Sequence, residues 1–359
     1  MRFSCGDKII LTYGEFMDTK IINYYEDKQG FKECIDTIKS GGVVVFPTET
    51  VYGIGANALN SKAVSKIFDV KGRAKDNPLI IHVCDFDISE YVEEVNDDTK
   101  KLINAFWPGP LTIILKKKPI IPDETTAGRD TVAIRMPNNE IALKLISESG
   151  YPIAAPSANI SGKPSGTNVE RCFEDLKGKV KFIVNGYESE IGIESTVISM
   201  VNKDPVILRP GYITIEDIKK ILPNVTLYSK LNEKNAVENP ISPGLKYKHY
   251  APNCQMVILK RNKEHIMEYV KKVSLNYNKI GILCVDEHLE FYGKMDMDIS
   301  IISVGSSNNF KQIGKNLFES IRKFDDMECD FIVSECFFDD FSNGVMNRLL
   351  RAASYNVIE

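Results

Sequence analysis

The sequence has few of the residues that hold a metal centre or a disulfide framework. Its eight cysteines include no C-x-x-C pair, and only four histidines occur in 359 residues, so a structural zinc site is not expected. Scattered cysteines favour a reduced cytosolic protein over a disulfide scaffold. No apolar run approaches the roughly 20 residues of a membrane helix, and charges occur too early for a signal peptide. We therefore expect a cytoplasmic location and no membrane partner.

An excess of positive charge is also missing. The chain has 45 Lys and Arg against 49 Asp and Glu, a net charge of −4, so bulk charge does not make it a polyanion binder. Any site for a nucleotide or nucleic acid must be a local basic patch. The hydrophobic content of 43% is typical of a soluble globular protein, and the length favours two domains.

Apolar runs and amphipathic segments alternate along most of the chain. Buried strands are predicted at 43–46, 78–83, 111–115, 131–136, 152–155, 181–184, 195–199 and 205–208, with helices at 61–70, 98–106 and 168–176 between them. A stretch at 222–253 without sustained periodicity follows, and a second interleaved pattern occupies 255–354. This alternation predicts the α/β fold class, in two units.

The densest group of polar residues lies at 47–82, directly after a predicted buried strand. Its Gly53 and Gly55 would let backbone amides approach a ligand, although such glycine pairs are more often simple turns. Lys71 and Arg73 indicate a phosphate clamp if they face a cleft. The alternative for these two cations is a solvated helix end, where the helix dipole favours positive charge.

The strand at 131–136 has an unusual composition for a core strand. Thr131 and Arg135 share one face, because residues two apart in a strand point the same way. An arginine inside a central strand needs an anion or a carboxylate as its partner. His82 lies in a neighbouring strand pattern, where a histidine is more often a packed core residue than a functional one.

Further polar groups follow other predicted strands. The loop at 156–167 carries Ser157, Asn159 and Ser165, which suits hydrogen bonding to phosphate or ribose but also an ordinary polar turn. Ser195 begins a strand and Arg209 ends another. Because ligands of open α/β sheets bind at strand ends, these groups together predict one cleft for a small molecule.

At this point the motifs PTETVYGIGANA, KGR followed by DNPLIIHV, WPGPLT, TVAIRMP and PSANISGKPS are recognisable. Together they resemble the threonylcarbamoyl-AMP synthase family, also called the YrdC/Sua5 family. SPGLKYKHYAP and NRLLRAAS resemble its two-domain Sua5 form. The resemblance implies a twisted open mixed sheet with flanking helices and a smaller Rossmann-like C-terminal domain. The expected boundaries are 1–215 for the catalytic domain, 216–253 for the linker or flap, and 254–359 for the C-terminal domain.

The resemblance also implies an activity, namely condensation of L-threonine, bicarbonate or CO2, and ATP to threonylcarbamoyl-AMP and pyrophosphate. The product would serve modification of adenosine 37 in tRNAs that read ANN codons, through a separate tRNA threonylcarbamoyl transferase. Mg2+ is expected with ATP, and no protein side chain is identified as its ligand. The family's catalytic tetrad falls on Lys71, Arg73, Ser157 and Asn159. The L-threonine set is Thr50, Arg73, His82, Arg135 and Ser195, and the ATP set is Lys71, Asn77, Thr131, Ala155, Ser157, Ser165, Arg209, Tyr247 and Tyr250.

The sequence leaves two alternative functions to be considered, and one further segment has a predicted role. A non-catalytic double-stranded RNA or tRNA-binding module would also use a basic face, and weak RNA binding is expected even of the enzyme. A hydrogenase-maturation carbamoyltransferase contains a related domain, but this sequence lacks its acylphosphatase region and C-x-x-C fingers. The segment 242–252, with Tyr247 and Tyr250, is predicted to cover the cleft rather than to be a passive tether.

Overall fold

The computed structural model describes residues 17–229, 231, 249–260 and 262–359. Tyr247 and most of the 242–252 segment lie outside the described residues. The described chain forms two β-sheets flanked by helices, which confirms the predicted α/β fold class. No helix within the described ranges is both long and apolar enough to cross a bilayer.

The first unit is built on an 11-stranded sheet. Its strands are β1 (Lys20–Asn23), β2 (Val44–Phe46), β3 (Gly53–Asn57), β4 (Ile80–His82), β5 (Leu111–Lys116), β6 (Thr131–Arg135), β7 (Ile153–Ala154), β8 (Phe182–Asn185), β9 (Thr196–Ser199), β10 (Val206–Arg209) and β11 (Thr226–Leu227). Its helices are α1 (Lys28–Lys39), α2 (Ser61–Lys71), α3 (Asp97–Phe106), α4 (Asp123–Thr126), α5 (Glu140–Ser149), α6 (Val169–Leu176) and α7 (Ile215–Lys219). The strand order is β1-β8-β2-β3-β7-β4-β6-β5-β9-β10-β11. Parallel pairs such as β4–β6 alternate with antiparallel pairs such as β5–β6, so the sheet is mixed.

The second unit is a smaller, fully parallel sheet with helices between its strands. Its strands are β12 (Gln255–Leu259), β13 (Ile280–Cys284), β14 (Ile299–Ser303), β15 (Phe331–Glu335) and β16 (Val357–Ile358). Its helices are α8 (Lys263–Val273), α9 (Leu289–Tyr292), α10 (Phe310–Asp326) and α11 (Gly344–Ala352), and a 3₁₀ turn covers Asp286–His288. The strand order is β14-β13-β15-β12-β16. Parallel strands joined by helices give the Rossmann-like arrangement that we expected.

Helix α2 shows how local sequence signals place candidate site residues. The Asn60 side chain accepts hydrogen bonds from the first backbone N–H groups of the helix, as a good N-cap residue does. The helix ends at Gly72, whose φ of 61° lies in the left-handed region that favours glycine. Lys71 and Arg73 therefore lie on either side of a sharp change in chain direction.

The two units share part of one hydrophobic core. Val51 and Ile193 of the first unit pack in the same buried cluster as Phe318 of α10 and Val345 of α11. Burial of apolar surface is worth about 25 cal/mol per Å², so this shared cluster holds α10 and α11 against the first unit. The contact matters for function because Val51 also lines the candidate site.

Two segments differ from the sequence-based expectation. Residues 53–57, which we expected to be a ligand loop, form strand β3. A side chain at Gly55 would lie 2.5 Å from Ile153 and 2.7 Å from Phe46, so this glycine is needed for packing within the sheet rather than for ligand approach. The first sheet also continues beyond residue 215, because β11 pairs in parallel with β10 and covers its edge.

Candidate functional site

A polar cavity lies against the first sheet, where the loops after β2 and β7 meet β4, β6 and β10. Its described lining consists of Thr48, Thr50, Val51, Gly53, Arg73, Pro78, Leu79, Ile80, His82, Arg135, Ala155, Pro156, Ser157, Asn159, Glu194, Ser195, Arg209, His249 and Tyr250. Three arginines and several hydroxyl groups converge in this one space. Such a set suits an anionic ligand that also offers hydrogen-bonding groups.

The structure brings together most of the residues that the sequence singled out. All members of the L-threonine set line the cavity, namely Thr50, Arg73, His82, Arg135 and Ser195. Of the other predicted residues, Ala155, Ser157, Asn159, Arg209 and Tyr250 also line it. Lys71, Asn77, Thr131 and Ser165 lie outside the described lining, and Tyr247 lies outside the described residues. Thr131 is four residues, or about 13 Å, along β6 from Arg135, which explains its separation. The contacts of each residue with a ligand remain predictions.

Arg135 has the carboxylate partner that its position requires. Its Nη2 lies 2.6 Å from Oε2 of Glu49, and both side chains are almost fully buried. Its Nη1 donates to Oγ1 of Thr50 at 2.9 Å, and its Nε donates to the carbonyl of Gly109 at 3.2 Å. Removing one partner of a buried ion pair typically costs about 3–5 kcal/mol because the other charge is left unpaired. The guanidinium is therefore held in a fixed orientation at the cavity wall.

His82 is a neutral side chain in this environment. Burial and the neighbouring Arg135 lower its pKa from 6.5 to about 3. Its Nδ1 lies 3.3 Å from the carbonyl of Ile153, so Nδ1 carries the proton and donates it to this hydrogen bond. The other ring nitrogen is left as an acceptor, which suits a hydroxyl or ammonium group of a ligand.

The lowered pKa of His82 predicts a pH-dependent stability. The unfolded chain protonates His82 near pH 6.5 and the folded chain only near pH 3, so the free energy of unfolding falls as the pH drops through this window. One such group contributes a slope of about 1.4 kcal/mol per pH unit. We expect His82→Gln to remove this contribution in urea unfolding between about pH 6 and pH 4. Equal slopes in both proteins would contradict a neutral His82.

Lys71 contacts the loop after β7, which carries two lining residues of the cavity. Its buried Nζ donates to the backbone carbonyls of Ser157 and Asn159 and lies 3.5 Å from Oδ1 of Asn159. The backbone carbonyl of Lys71 accepts from the N–H of Ser161 at 3.0 Å. Burial and the neighbouring Arg73 lower the pKa of Lys71 well below its usual value. In this arrangement Lys71 fixes the loop that carries Ser157 and Asn159.

Arg73 lies at the rim of the cavity on the other side of the α2 terminus. Its Nε donates to the carbonyl of Asn77 at 3.3 Å, and its Nη2 donates to the carbonyl of Pro78 at 3.1 Å. These two bonds orient the guanidinium through the turn that leads into β4. Ser157 is oriented as well, since its hydroxyl donates to Oδ1 of Asn159 at 2.6 Å.

A second hydroxyl and arginine pair lies at the far side of the cavity. Nε and Nη2 of Arg209 donate to the carbonyl and the Oγ of Ser195, each at 3.1 Å. Oγ of Ser195 also lies 2.7 Å from Oγ1 of Thr112. Burial and the nearby Arg348 lower the pKa of Arg209 to about 10, so it stays charged at neutral pH. This side of the cavity thus combines a fixed cation with a fixed hydroxyl.

His249 and Tyr250 complete the cavity from the side of the second unit. The Tyr250 ring stacks on Phe318 of α10 with a centroid distance of 4.9 Å. The next residue, Ala251, donates its N–H to the carbonyl of Gly162 at 2.9 Å. Burial and the nearby Arg73 lower the pKa of His249 well below its usual value, so it is neutral. His249 and Tyr250, at the C-terminal end of the predicted cover segment, therefore lie at the cavity, and closure by the segment stays a prediction.

Sequence reasoning missed several lining residues. Glu49 stands between two threonines, and its charge beside an apolar strand was the available signal. Glu194 directly precedes Ser195, and its charge at the start of an apolar strand was the available signal in the same way. Pro78 offered no pattern that distinguished it from a turn residue. These residues are brought to the cavity by sheet order and by the second unit, which sequence spacing does not reveal.

Two family models and several curated relatives match nearly the whole chain. The family described as Telomere recombination matches residues 36–211, and the family described as Threonylcarbamoyl-AMP synthase, C-terminal domain, matches residues 213–354. A threonylcarbamoyl-AMP synthase of Bacillus subtilis is 42% identical over 324 residues, which cover 89% of this chain and 92% of the relative. One of Pyrococcus abyssi is 41% identical over 349 residues, which cover 95% and 99%.

A solved structure extends the likeness to three dimensions. The crystal structure of Pyrococcus abyssi Sua5 complexed with L-threonine has a TM-score of 0.85 at 38% identity, and the match covers 95% of this chain and 99% of that one. Both units of the chain are thus matched in one relative and in the same order. The chain belongs to the threonylcarbamoyl-AMP synthase family, in its two-domain Sua5 form.

Proposed function

We propose that this chain condenses L-threonine, bicarbonate or CO2, and ATP into threonylcarbamoyl-AMP and pyrophosphate, with water as the remaining product when bicarbonate is used. The observation that carries the proposal is the convergence of Arg73, Arg135 and Arg209 with hydroxyl groups in one cavity of a family member. One arginine is enough to bind a single anion. Three arginines in one cavity instead suit a ligand set with a triphosphate and a carboxylate.

The nucleotide end of the reaction needs cations placed before the reaction begins. When N-carboxylated threonine attacks the α-phosphorus, negative charge grows on the phosphoryl group and on the leaving pyrophosphate. Arg73 at the rim stabilises that charge, and Ser157 and Asn159 orient the phosphate chain from the loop that Lys71 fixes. Fixed donors in a shielded site stabilise the transition state without a covalent enzyme intermediate.

The threonine end uses the opposite wall. Arg135 retains N–H groups that are not used by Gly109 or Thr50, and it binds the substrate carboxylate beside Glu49. The neutral His82 and the hydroxyl of Ser195 face the same space and read the substrate hydroxyl. Holding the reactants together lowers the entropic part of the barrier.

Mg2+ is expected to arrive with ATP. The described residues contain no group of three or more His, Cys, Asp or Glu side chains arranged to hold a metal. The two carboxylates near the cavity, Glu49 and Glu194, are already paired with Arg135 and Arg348. These residues fit a metal that is bound by phosphate oxygens and water rather than by a protein cage, and it would neutralise phosphate charge.

The described cavity must open before substrates bind. It encloses about 70 Å³ of free space, far below the roughly 300–1,000 Å³ of small-molecule sites. His249 and Tyr250 belong to the predicted linker or flap and to no strand of the sheet, so their displacement would open the cavity without disturbing the sheet. Their return shields carboxy-threonine and the mixed anhydride, both of which decompose in water.

This shielding gives a prediction for Tyr250→Ala in the full chain. Loss of the ring that stacks on Phe318 admits water, so more ATP is consumed for each threonylcarbamoyl-AMP formed. The control is Tyr277→Ala, which removes a similar ring contact with Phe331 away from the cavity. The two products are quantified by chromatography. An unchanged ratio in Tyr250→Ala would reduce this segment to a tether.

The partners follow from the product. Threonylcarbamoyl-AMP is a reactive mixed anhydride, so a separate tRNA threonylcarbamoyl transferase is proposed to take it up for adenosine 37 of ANN-reading tRNAs. Weak RNA binding by the chain itself remains a proposal. The described cysteines are free thiols, which is typical of a reducing compartment and supports a proposed cytoplasmic location.

The proposal is tested by leaving out one substrate at a time. Pyrophosphate release should require ATP, threonine and bicarbonate together, with Mg2+ present. A non-catalytic RNA-binding module would release none and would instead shift labelled tRNA in a salt-dependent manner. Release without threonine or bicarbonate would indicate simple ATP hydrolysis and contradict the proposal.

A further inference from the structure

The second unit inserts one completely buried arginine into the first. Arg348 of α11 is 0% exposed and is among the largest fully buried side chains of the described chain. Its Nε donates to Oε2 of Glu194 at 3.0 Å, and its Nη2 donates to the carbonyl of Glu194 at 3.1 Å. Its Nη1 donates to the carbonyl of Pro210. A single guanidinium thus forms hydrogen bonds with two separate segments of the first unit.

Both segments that Arg348 binds contain residues that line the cavity. Glu194 directly precedes Ser195, and Pro210 directly follows Arg209. Arg209 in turn donates to the carbonyl and hydroxyl of Ser195. Arg348 therefore binds the chain neighbours of both Ser195 and Arg209, which are themselves joined by hydrogen bonds at the far side of the cavity.

The backbone packing beneath Arg348 is equally close. A side chain at Gly344, the first residue of α11, would lie 2.5 Å from the carbonyl oxygen of Gly211. A side chain at Gly211 would lie 2.4 Å from the amide nitrogen of Thr196 and 2.7 Å from the carbonyl oxygen of Glu194. Helix α11 thus packs directly against Gly211, which follows Pro210, and Gly211 packs against residues 194–196, with no room for a side chain at either contact.

Glu194 transmits the contact to the loop after β7. Its Oε1 accepts a hydrogen bond from Oγ of Ser165 at 2.6 Å, while Oε2 is bound by Arg348. Burial raises the pKa of Glu194, but Arg348 and Arg209 outweigh burial, and the net pKa is lowered. The carboxylate is therefore charged, and its two oxygens connect α11 with a second cavity-forming loop.

We propose that Arg348 is a positioning residue for threonylcarbamoyl-AMP synthesis: through Glu194 and Pro210 it fixes Ser195 and Arg209 in the geometry that the substrates need. The C-terminal unit thereby sets the geometry of Ser195 and Arg209, although both residues belong to the first unit. The inference rests on the proposed function, because the positioned residues are those that bind threonine and nucleotide there.

A matched control exists in the same interface. Arg171 of α6 also joins the two units, with its Nη2 2.8 Å from Oε1 of Glu319 and 2.6 Å from Oδ2 of Asp326 on α10. It is nearly as buried as Arg348, at 7% exposed. Its partners do not line the described cavity. Loosening the interface at Arg171 therefore tests domain contact without disturbing Ser195 or Arg209.

The test compares Arg348→Met, Arg348→Lys and Arg171→Met in the full chain. Misplacing substrate-binding groups by about 1 Å costs on the order of a hundredfold in rate, so Arg348→Met should lower kcat for threonylcarbamoyl-AMP formation by about that factor. Arg171→Met should keep kcat within about twofold, because it disturbs only the interface. Arg348→Lys retains one charge towards Glu194 and should recover part of the loss. Glu194→Gln combined with Arg348→Met should be strongly non-additive, since both act through one contact.

Thermal unfolding of each variant separates positioning from folding. Equal losses of kcat in Arg348→Met and Arg171→Met at equal melting temperatures would overturn the inference, and so would full activity of Arg348→Met. If Arg348→Met does not fold, Arg348→Lys carries the comparison, and a lysine variant with unchanged kcat and KM overturns it. If the wild-type chain forms no threonylcarbamoyl-AMP, the proposed function fails. The positioning role is then read from threonine binding by calorimetry, which Arg348→Lys should weaken and Arg171→Met should not.

Discussion

Arg73→Ala is expected to reduce pyrophosphate formation by about a hundredfold or more, the usual effect of removing one fixed donor that stabilises transition-state charge. Arg73 lies at the cavity rim, where the carbonyls of Asn77 and Pro78 orient its guanidinium. Arg73 lies outside the strands and helices, so the variant should fold. Release of pyrophosphate under saturating substrates measures the effect on kcat.

Lys75→Ala is the matched control for this variant. Lys75 is a cation only two residues away in the same turn, but it is exposed to solvent. If the loss in Arg73→Ala came from general charge in this turn, both variants would lose activity alike. Near-normal turnover by folded Arg73→Ala would contradict the assignment of this residue to the phosphate chain.

Discrimination against 2-aminobutyrate should be the second large effect. This analogue lacks only the hydroxyl of threonine, so the buried groups that read the hydroxyl would be left without a partner. Sites built to bind a hydroxyl reject such analogues strongly, and we expect kcat/KM to fall by at least about a hundredfold. The hydroxyls of Ser195 and Thr50 and the acceptor nitrogen of His82 provide the polar set.

Serine is the matched comparison, because it keeps the hydroxyl and lacks only the methyl group. A missing methyl contact costs about 1–3 kcal/mol, so serine should be rejected less than 2-aminobutyrate. Serine and 2-aminobutyrate each compete with threonine in one assay, and the products are resolved by mass. The product ratios give the relative kcat/KM values directly. Equal use of 2-aminobutyrate and threonine would show that the cavity does not read the hydroxyl.

The sequence predicted the elements more fully than their contacts. Strands such as β4 and β6 were recognisable because buried apolar runs and turn signals are local. Strand β3 was missed because Gly53 and Gly55 resemble a loop, and only the neighbouring Phe46 and Ile153 show why glycine is required there. Strand β11 was missed because two residues at a sheet edge have no periodicity.

The candidate site shows the same division. Arg135 was identifiable from strand parity, and its need for a carboxylate followed from burial. The identity of that carboxylate as Glu49 did not follow, because the partner lies 86 positions away along the chain and is chosen by sheet order. The hydrogen bonds of Lys71 to the carbonyls of Ser157 and Asn159 did not follow from the sequence either, because no spacing encodes them, and its contact with phosphate stays a prediction.

Labelled bicarbonate distinguishes threonylcarbamoyl-AMP synthesis from simple ATP hydrolysis. The full chain is incubated with ATP, Mg2+, threonine and ¹³C-bicarbonate, and the adenylate product is analysed by mass spectrometry alongside pyrophosphate release. We expect an acyl-adenylate that contains threonine and carries the label in its carbamate carbon, formed in equal amount to pyrophosphate. Pyrophosphate or phosphate release with an unlabelled adenylate, or with no adenylate of threonine, would contradict it.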